Sequence, residues 1–164
     1  AISTHIDFLK AQIAETKQLI RKHFDQHPHL KAQRDLLTSI PGIAETTATA
    51  ILVEIRDVST FDSAAQLAAF AGLTPQEFSS GSSVRGKPRL SKIGNSRLRK
   101  ALFMPAIVAR RYNPLILAFC DRLLAKGKSK MAVVGAAMHK LLRQVFGVLK
   151  SQKPFDPNFL PISP

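Results

Sequence analysis

Among the 164 residues there is one cysteine, no tryptophan and a single tyrosine. The lone thiol, Cys120, excludes an internal disulfide, so stability has to come from packing. No apolar run approaches the roughly 18 residues that a membrane span needs. The opening AISTHIDFLKAQ carries polar residues every few positions and does not read as a secretory leader. A first residue other than Met suggests a processed chain or an excised fragment. Together these absences lead to the expectation of a cytoplasmic protein that does not engage a membrane.

Metal-site and nucleotide-site patterns are missing as well. The histidines His5, His23, His27, His29 and His139 are scattered. His23 and His27 stand four apart, as a helical metal pair would, yet no further ligand is evident nearby. Glu45 and Glu54 share one predicted helix without a second acidic pair, and two-metal phosphoryl transfer needs several carboxylates. Glycine-rich phosphate signatures of nucleotide enzymes are absent. The expectation is therefore a chain with no cofactor and no metal of its own.

Acidic residues are scarce, 11 against 24 basic ones, for a net charge of +13. The imbalance is local. Residues 1–78 hold seven basic and nine acidic side chains, net −2, whereas residues 79–164 hold seventeen and two (Asp121 and Asp156), net +15. A solvated surface normally mixes both signs. One-signed charge over such a stretch repels itself, and a polyanion relieves that repulsion. Nucleic acid is the first reading and an anionic membrane surface the second.

Hydrophobic content of 45% is enough for a folded domain, and its periodicity predicts a mostly α chain. Ile2, Ile6, Leu9, Ile13, Ile20 and Phe24 recur at a spacing near 3.5, predicting a long helix that ends at His27-Pro28-His29. Its narrow apolar seam needs a partner: its own domain, a second copy, or part of a longer protein. A short helix over 32–39 and another from Glu45 to about Arg56 flank Ile40-Pro41-Gly42-Ile43. Glycine in that turn makes a positive φ cheap, and free N–H groups at the next helix start can take a phosphate. The pair resembles a helix-hairpin-helix, with Gly42 and Ile43 as candidate contacts. Ala44 and Thr46 depart from that motif, and a plain helical turn is the alternative.

A further helix runs from about Ser63 to Ala71 and is closed by Gly72. From Thr74 to Gly94, TPQEFSSGSSVRGKPRLSKIG breaks every periodicity and reads as a long basic loop or short hairpin, a length that in a compact domain usually signals function. Asn95 or Ser96 then caps a helix to Tyr112. Asn113-Pro114 starts another, with Leu115, Phe119 and Leu123 on its inner face, and Gly127 ends it. A last helix spans Lys130 to about Lys150, followed by a proline-rich extended tail. The expected organisation is a coiled-coil-like arm over 1–30, a compact helical domain over 31–157 and a tail over 158–164. No internal repeat is present.

The residues with chemical potential are serines among cations. Ser79, Ser80, Ser82 and Ser83 surround Gly81, with Arg85, Lys87, Arg89, Lys92, Arg97 and Arg99 following. A hydroxyl needs activation or positioning to attack. Attack on a phosphodiester builds negative charge that guanidinium groups can stabilise. Ordinary flexible-loop composition is the competing explanation.

The order LLTSIPGIAETTATAILVEI, FDSAAQLAAFAGLTP, SSGSSVRGKPRLSKIGNSRLRKALFMPA and KPFDP, from Leu36 to Pro157, resembles one family. It is the C-terminal domain of insertion-sequence transposases related to the pilin-gene invertase, the bridge-RNA-guided IS-one-ten group. The resemblance implies an N-terminal RuvC-like domain whose four acidic residues bind magnesium, joined through a coiled-coil arm. It implies a C-terminal serine that attacks DNA and forms a phosphoserine link. By position before the motif glycine that serine is Ser80, with Ser79 in reserve. Arg85, Lys87, Arg89, Lys92, Arg97 and Arg99 would hold DNA phosphates or guide RNA. The acidic domain does not lie within this sequence, so the chain alone is expected to bind DNA without recombining it. Two further readings are a non-catalytic DNA- or RNA-binding module and a dimerisation piece built on the first helix.

Overall fold

The computed structural model describes residues 1–76, 79–80, 84–85 and 89–158, with backbone alone for 79, 80, 84 and 85. Lys87, Gly81, Ser82, Ser83 and the last six residues of the expected tail lie outside the described residues, as do the side chains of Ser79, Ser80 and Arg85. Two compact units are present, Ala1–Gln33 and Arg34–Pro164.

The first unit is dominated by helix α1, Ile2–Gln26. His27 adopts an extended backbone at its end, as a residue preceding proline prefers. Phe24 is buried, whereas Ile2, Ile6, Leu9, Ile13 and Ile20 along the same seam are exposed. The next helix, α2, covers Pro28–Thr38 and so begins four residues before the predicted start. Pro28 stands at its first position, where a missing N–H costs nothing.

The second unit is built from α3 (Glu45–Ile55), a 3-10 turn (Val58–Thr60), α4 (Ala64–Phe70), α5 (Ser96–Tyr112), α6 (Pro114–Ala125) and α7 (Lys130–Ser151). The mostly α fold class is thereby shown. Side-chain caps set the starts of α4 to α7: Ser63 accepts from Gln66 N–H, Asn95 from Leu98, Asn113 from Ile116 and Ser129 from Ala132. Helix α7 is central, packing against α4, α5 and α6. It buries Val133, Ala137, Leu141, Leu142, Val145 and Leu149. Opposite it stand Leu98, Leu102 and Ala106 of α5, while α3 brings Ile51 and Leu52 to the core. By length and composition α7 could cross a membrane, which qualifies the sequence reading, but half of that window is buried inside the protein. It is a core helix here.

One predicted face is corrected. On α6 the fully buried residues are Ile116 and Cys120; Leu115 is exposed, and Phe119 and Leu123 are half-buried. The phase is set by Asn113, which has no solvent exposure. Its Oδ1 caps the helix, while Nδ2 donates to Gln144 Oε1 at 2.8 Å and to the Pro41 carbonyl at 3.4 Å. Anchoring position 113 inward carries 116 and 120 inward with it, at 3.6 residues per turn.

Candidate nucleic-acid interface

Between α4 and α5 the chain forms a nested antiparallel hairpin in place of a plain loop. Outer strands β1 (Pro75–Gln76) and β4 (Arg89–Leu90) pair Pro75 with Leu90 and Gln76 with Arg89. Inner strands β2 (Ser79–Ser80) and β3 (Val84–Arg85) pair Ser79 with Arg85 and Ser80 with Val84. The serines and the first motif arginine thus share one backbone ladder, which spacing alone does not specify.

The root of this hairpin is fixed by four helices. Gly72 (φ +70°) closes α4, with its N–H on the Ala69 carbonyl at 2.9 Å. On the returning strand Ser91 N–H donates to Thr74 O, Lys92 N–H to Gly72 O and Asn95 N–H to Phe70 O, at 3.0, 3.1 and 2.7 Å. Gly94 (φ +136°) lies so close to the Phe70 carbonyl that no Cβ fits there. Asn95 also caps α5 through Oδ1 at 2.9 Å and donates through Nδ2 to Glu54 Oε2 at 2.8 Å. From α7, Gly135 leaves room for Leu90, whose Cδ1 would stand 3.0 Å from an added Cβ.

The sequence-predicted cations divide. Arg89, Lys92 and Arg97 are exposed around the root, as is Lys100 beside them. Arg99 is half-buried, and its Nη1 donates to the Ala71 carbonyl at 3.0 Å over the bare face of Gly72. Part of its guanidinium therefore serves the fold. Arg97 and Arg99 lie in the first turn of α5, which has no acidic residue. Cations there oppose the helix macrodipole, which favours negative charge at this end by about 0.3–1 kcal/mol per residue. An external anion would compensate that arrangement. Among the described residues no ion pair neutralises any Lys or Arg from position 89 onward.

Between α2 and α3 the chain turns at Gly42, with φ +106°. A Cβ on Gly42 would meet Ala109 Cβ at 2.7 Å and its backbone at 2.9 Å, so the turn is pressed onto α5. Ile43 is buried, and its N–H donates to the Ile40 carbonyl at 3.0 Å. The Ile43 side chain thus belongs to the core, and its N–H is engaged within the turn. The first turn of α3 also carries Glu45, paired with the buried Arg34 at 3.0 Å. Beside this turn is a shallow apolar depression of about 350 Å³ lined by Gly42, Ile43, Ala44, Thr47, Met104, Pro105 and Val108.

Other candidates resolve into structural parts. Among the described residues no group of three or more His, Cys, Asp or Glu side chains could hold a metal ion. His23 and His27 stack at 4.4 Å between ring centroids, and His27 Nδ1 meets the His23 carbonyl at 2.8 Å. Burial pushes the Cys120 thiol up despite the opposing charge of Arg110, which suits an inert core residue. Two features were not read from sequence: the Glu54–Asn95 bridge, which joins residues 41 apart, and a second cation cluster around Phe119. Only the overall basic excess hinted at the latter.

A family model described as Transposase IS116/IS110/IS902 family matches residues 34–121, beginning at the first residue of the second compact unit. The pilin gene-inverting protein of Moraxella bovis is 40% identical over 131 residues, covering 79% of this chain and 40% of that protein. The insertion element IS110 uncharacterized 43.6 kDa protein of Streptomyces coelicolor is 37% identical over 114 residues, covering 70% of this chain and 27% of that protein. The insertion element IS900 uncharacterized 42 kDa protein of Mycobacterium paratuberculosis is 27% identical over 150 residues, 91% of this chain and 36% of that one. The chain thus spans two fifths or less of the length of these relatives.

Proposed function

Because the chain belongs to the transposase family of IS116, IS110 and IS902, we propose that it is the part of a DNA-cutting and rejoining recombinase that grips DNA and carries the attacking serine. What supports this reading is the hairpin, which sets Ser79 and Ser80 on one ladder with Arg85. Its root is surrounded by the exposed cations Arg89, Lys92 and Arg97, none of them neutralised by an ion pair among the described residues.

In this reading the Ser80 hydroxyl oxygen attacks a backbone phosphorus. A Ser80 Oγ–P bond forms as the P–O bond to the leaving deoxyribose breaks. The serine proton leaves, and the released sugar oxygen takes up a proton. Reversal with a different strand end rejoins DNA and frees the serine. The cations stabilise the charge that gathers on the phosphoryl oxygens. Among the described residues no group of carboxylates is placed to hold magnesium. We assign metal binding to a separate acidic RuvC-like domain. Guide RNA is a further partner the basic surface would suit. The exposed seam of α1 suits pairing with a second copy.

The test joins this chain to such an acidic domain and supplies labelled duplex DNA. A covalent protein–DNA adduct is expected on a denaturing gel and should vanish with Ser80→Ala. Full adduct with Ser80→Ala but none with Ser79→Ala would move the role to Ser79, which stands opposite Arg85 in the ladder. Adduct surviving both changes would favour the second reading, a non-catalytic binding module. That alternative is supported by the lack of an acid–base cluster among the described residues.

A further inference from the structure

Away from the hairpin, α6 and α7 hold another group of cations around one aromatic ring. Phe119 is half-buried on α6. Arg122 Cζ of the same helix and Lys140 Nζ of α7 both stand 5.7 Å from its ring centroid. The ring's negative face attracts both groups and fixes two otherwise flexible side chains. The two charges are therefore held at most twice 5.7 Å apart. Arg143, exposed and three residues after Lys140, extends the cluster along α7.

Arg143 and Lys140 both act on His139, whose pKa lies below its ordinary value, first through burial and then through these two charges. Both lie beside it on α7, one and four residues along the helix. None of the cations has an ion pair among the described residues. Asp121, the acidic residue of α6, is exposed and pairs with none of them. Holding like charges together without a counter-charge is unfavourable unless an anion arrives.

We infer that Phe119, Arg122, Lys140 and Arg143 form a second contact for the sugar-phosphate backbone of duplex DNA, separate from the serine hairpin. The inference rests on the proposed reading of the chain as DNA-binding. Duplex is favoured over single strands because the ring is already covered by two cations. Single-strand binding relies on aromatic faces open to bases, whereas backbone contacts need only positioned charge. Measured along the helix axis, the site is also near the hairpin root. Along α7, Lys140 and Arg143 follow Gly135, which touches Leu90 of the hairpin root, by about 8–12 Å of helix rise. That is well inside one duplex turn of roughly 34 Å.

The experiment measures binding of the 164-residue chain to random-sequence duplex DNA by fluorescence anisotropy across a salt series. Each lost phosphate contact lowers the slope of log K against log salt by about 0.9. The Arg122→Ala, Lys140→Ala, Arg143→Ala triple variant should therefore lose about 2–3 from the slope, equally on unrelated sequences. The charge-retaining triple Arg122→Lys, Lys140→Arg, Arg143→Lys should keep it, which separates charge from folding. Phe119→Leu should weaken binding by about two- to fivefold at unchanged net charge, since the ring no longer orders the cations. A companion triple in the hairpin, Arg85→Ala, Lys87→Ala, Arg89→Ala, should retain the slope due to α6 and α7. A wild-type slope in the first triple, with binding abolished in the hairpin triple, overturns this second contact and leaves the DNA reading intact. Failure of the unaltered chain to bind any duplex DNA overturns the DNA reading itself. Loss confined to duplex RNA or single-stranded DNA, measured in parallel, would overturn the duplex DNA assignment.

Discussion

Asn95 offers the sharpest test of how the serine hairpin is held. Its side chain performs two tasks and its backbone a third: Oδ1 accepts from Leu98 N–H at 2.9 Å, Nδ2 donates to Glu54 Oε2 at 2.8 Å, and its N–H meets the Phe70 carbonyl. Replacing Asn95 by Ala removes a cap worth about 1 kcal/mol. It also leaves the half-buried Glu54 without its amide donor, a further cost of about 1–3 kcal/mol, taken at the low end because water can reach part of the carboxylate. The expected sum is about 2–3 kcal/mol. Asn95→Ser restores a cap and should recover about 1 kcal/mol of it. Glu54→Gln keeps an acceptor and should cost less than either. The loss should appear in denaturant midpoints and, more locally, in amide exchange at Ser91 and Lys92, whose N–H groups tie the returning strand to Thr74 and Gly72. Two to three kcal/mol corresponds to exchange faster by about 30- to 150-fold if the root opens as a unit. DNA affinity should fall as the hairpin cations lose their fixed mounting. If Asn95→Ala leaves both the midpoint and the exchange of those two amides unchanged, the root is held by something other than this residue.

Three further outcomes follow from the packing and the charges. Gly42→Ala combines a positive φ with a collision against the Ala109 backbone, and should destabilise by about 2–5 kcal/mol in chemical denaturation. Asn113→Ala should cost about 2–3 kcal/mol by losing a cap and stranding Gln144 Oε1, with Asn113→Ser intermediate in the same assay. His139 has a folded pKa below its ordinary value of 6.5. The unfolded chain therefore takes up the proton first on acidification. Its contribution is complete above the unfolded pKa and is lost as pH falls through that value toward the folded one. Stability measured from pH 8 downward should decline less steeply in His139→Gln, and identical pH profiles would contradict the assignment.

Much of the helical architecture was written locally. Apolar spacing, the caps Ser63, Asn95, Asn113 and Ser129, and the breaks at His27-Pro28, Gly72 and Gly127 depend on neighbours within a turn, so the chain itself fixes where helices start and stop. The concentration of positive charge after residue 78 and the serine–glycine–basic run were equally plain, because composition does not need coordinates. What a local pattern cannot carry is which side of an element meets which other element. The inward turn of Ile116 and Cys120 follows from Asn113 reaching Gln144, 31 residues away. The close approach of Gly42 to Ala109 follows from α5 lying across its turn. That Arg99 also turns its Nη1 to the Ala71 carbonyl joins residues 28 apart. The ladder that sets Ser79 opposite Arg85, the Glu54–Asn95 bridge and the ring shared by Arg122 and Lys140 all join residues distant in the chain. Short-range preferences decided the elements, and long-range packing decided which of their charges remain free to hold a phosphate.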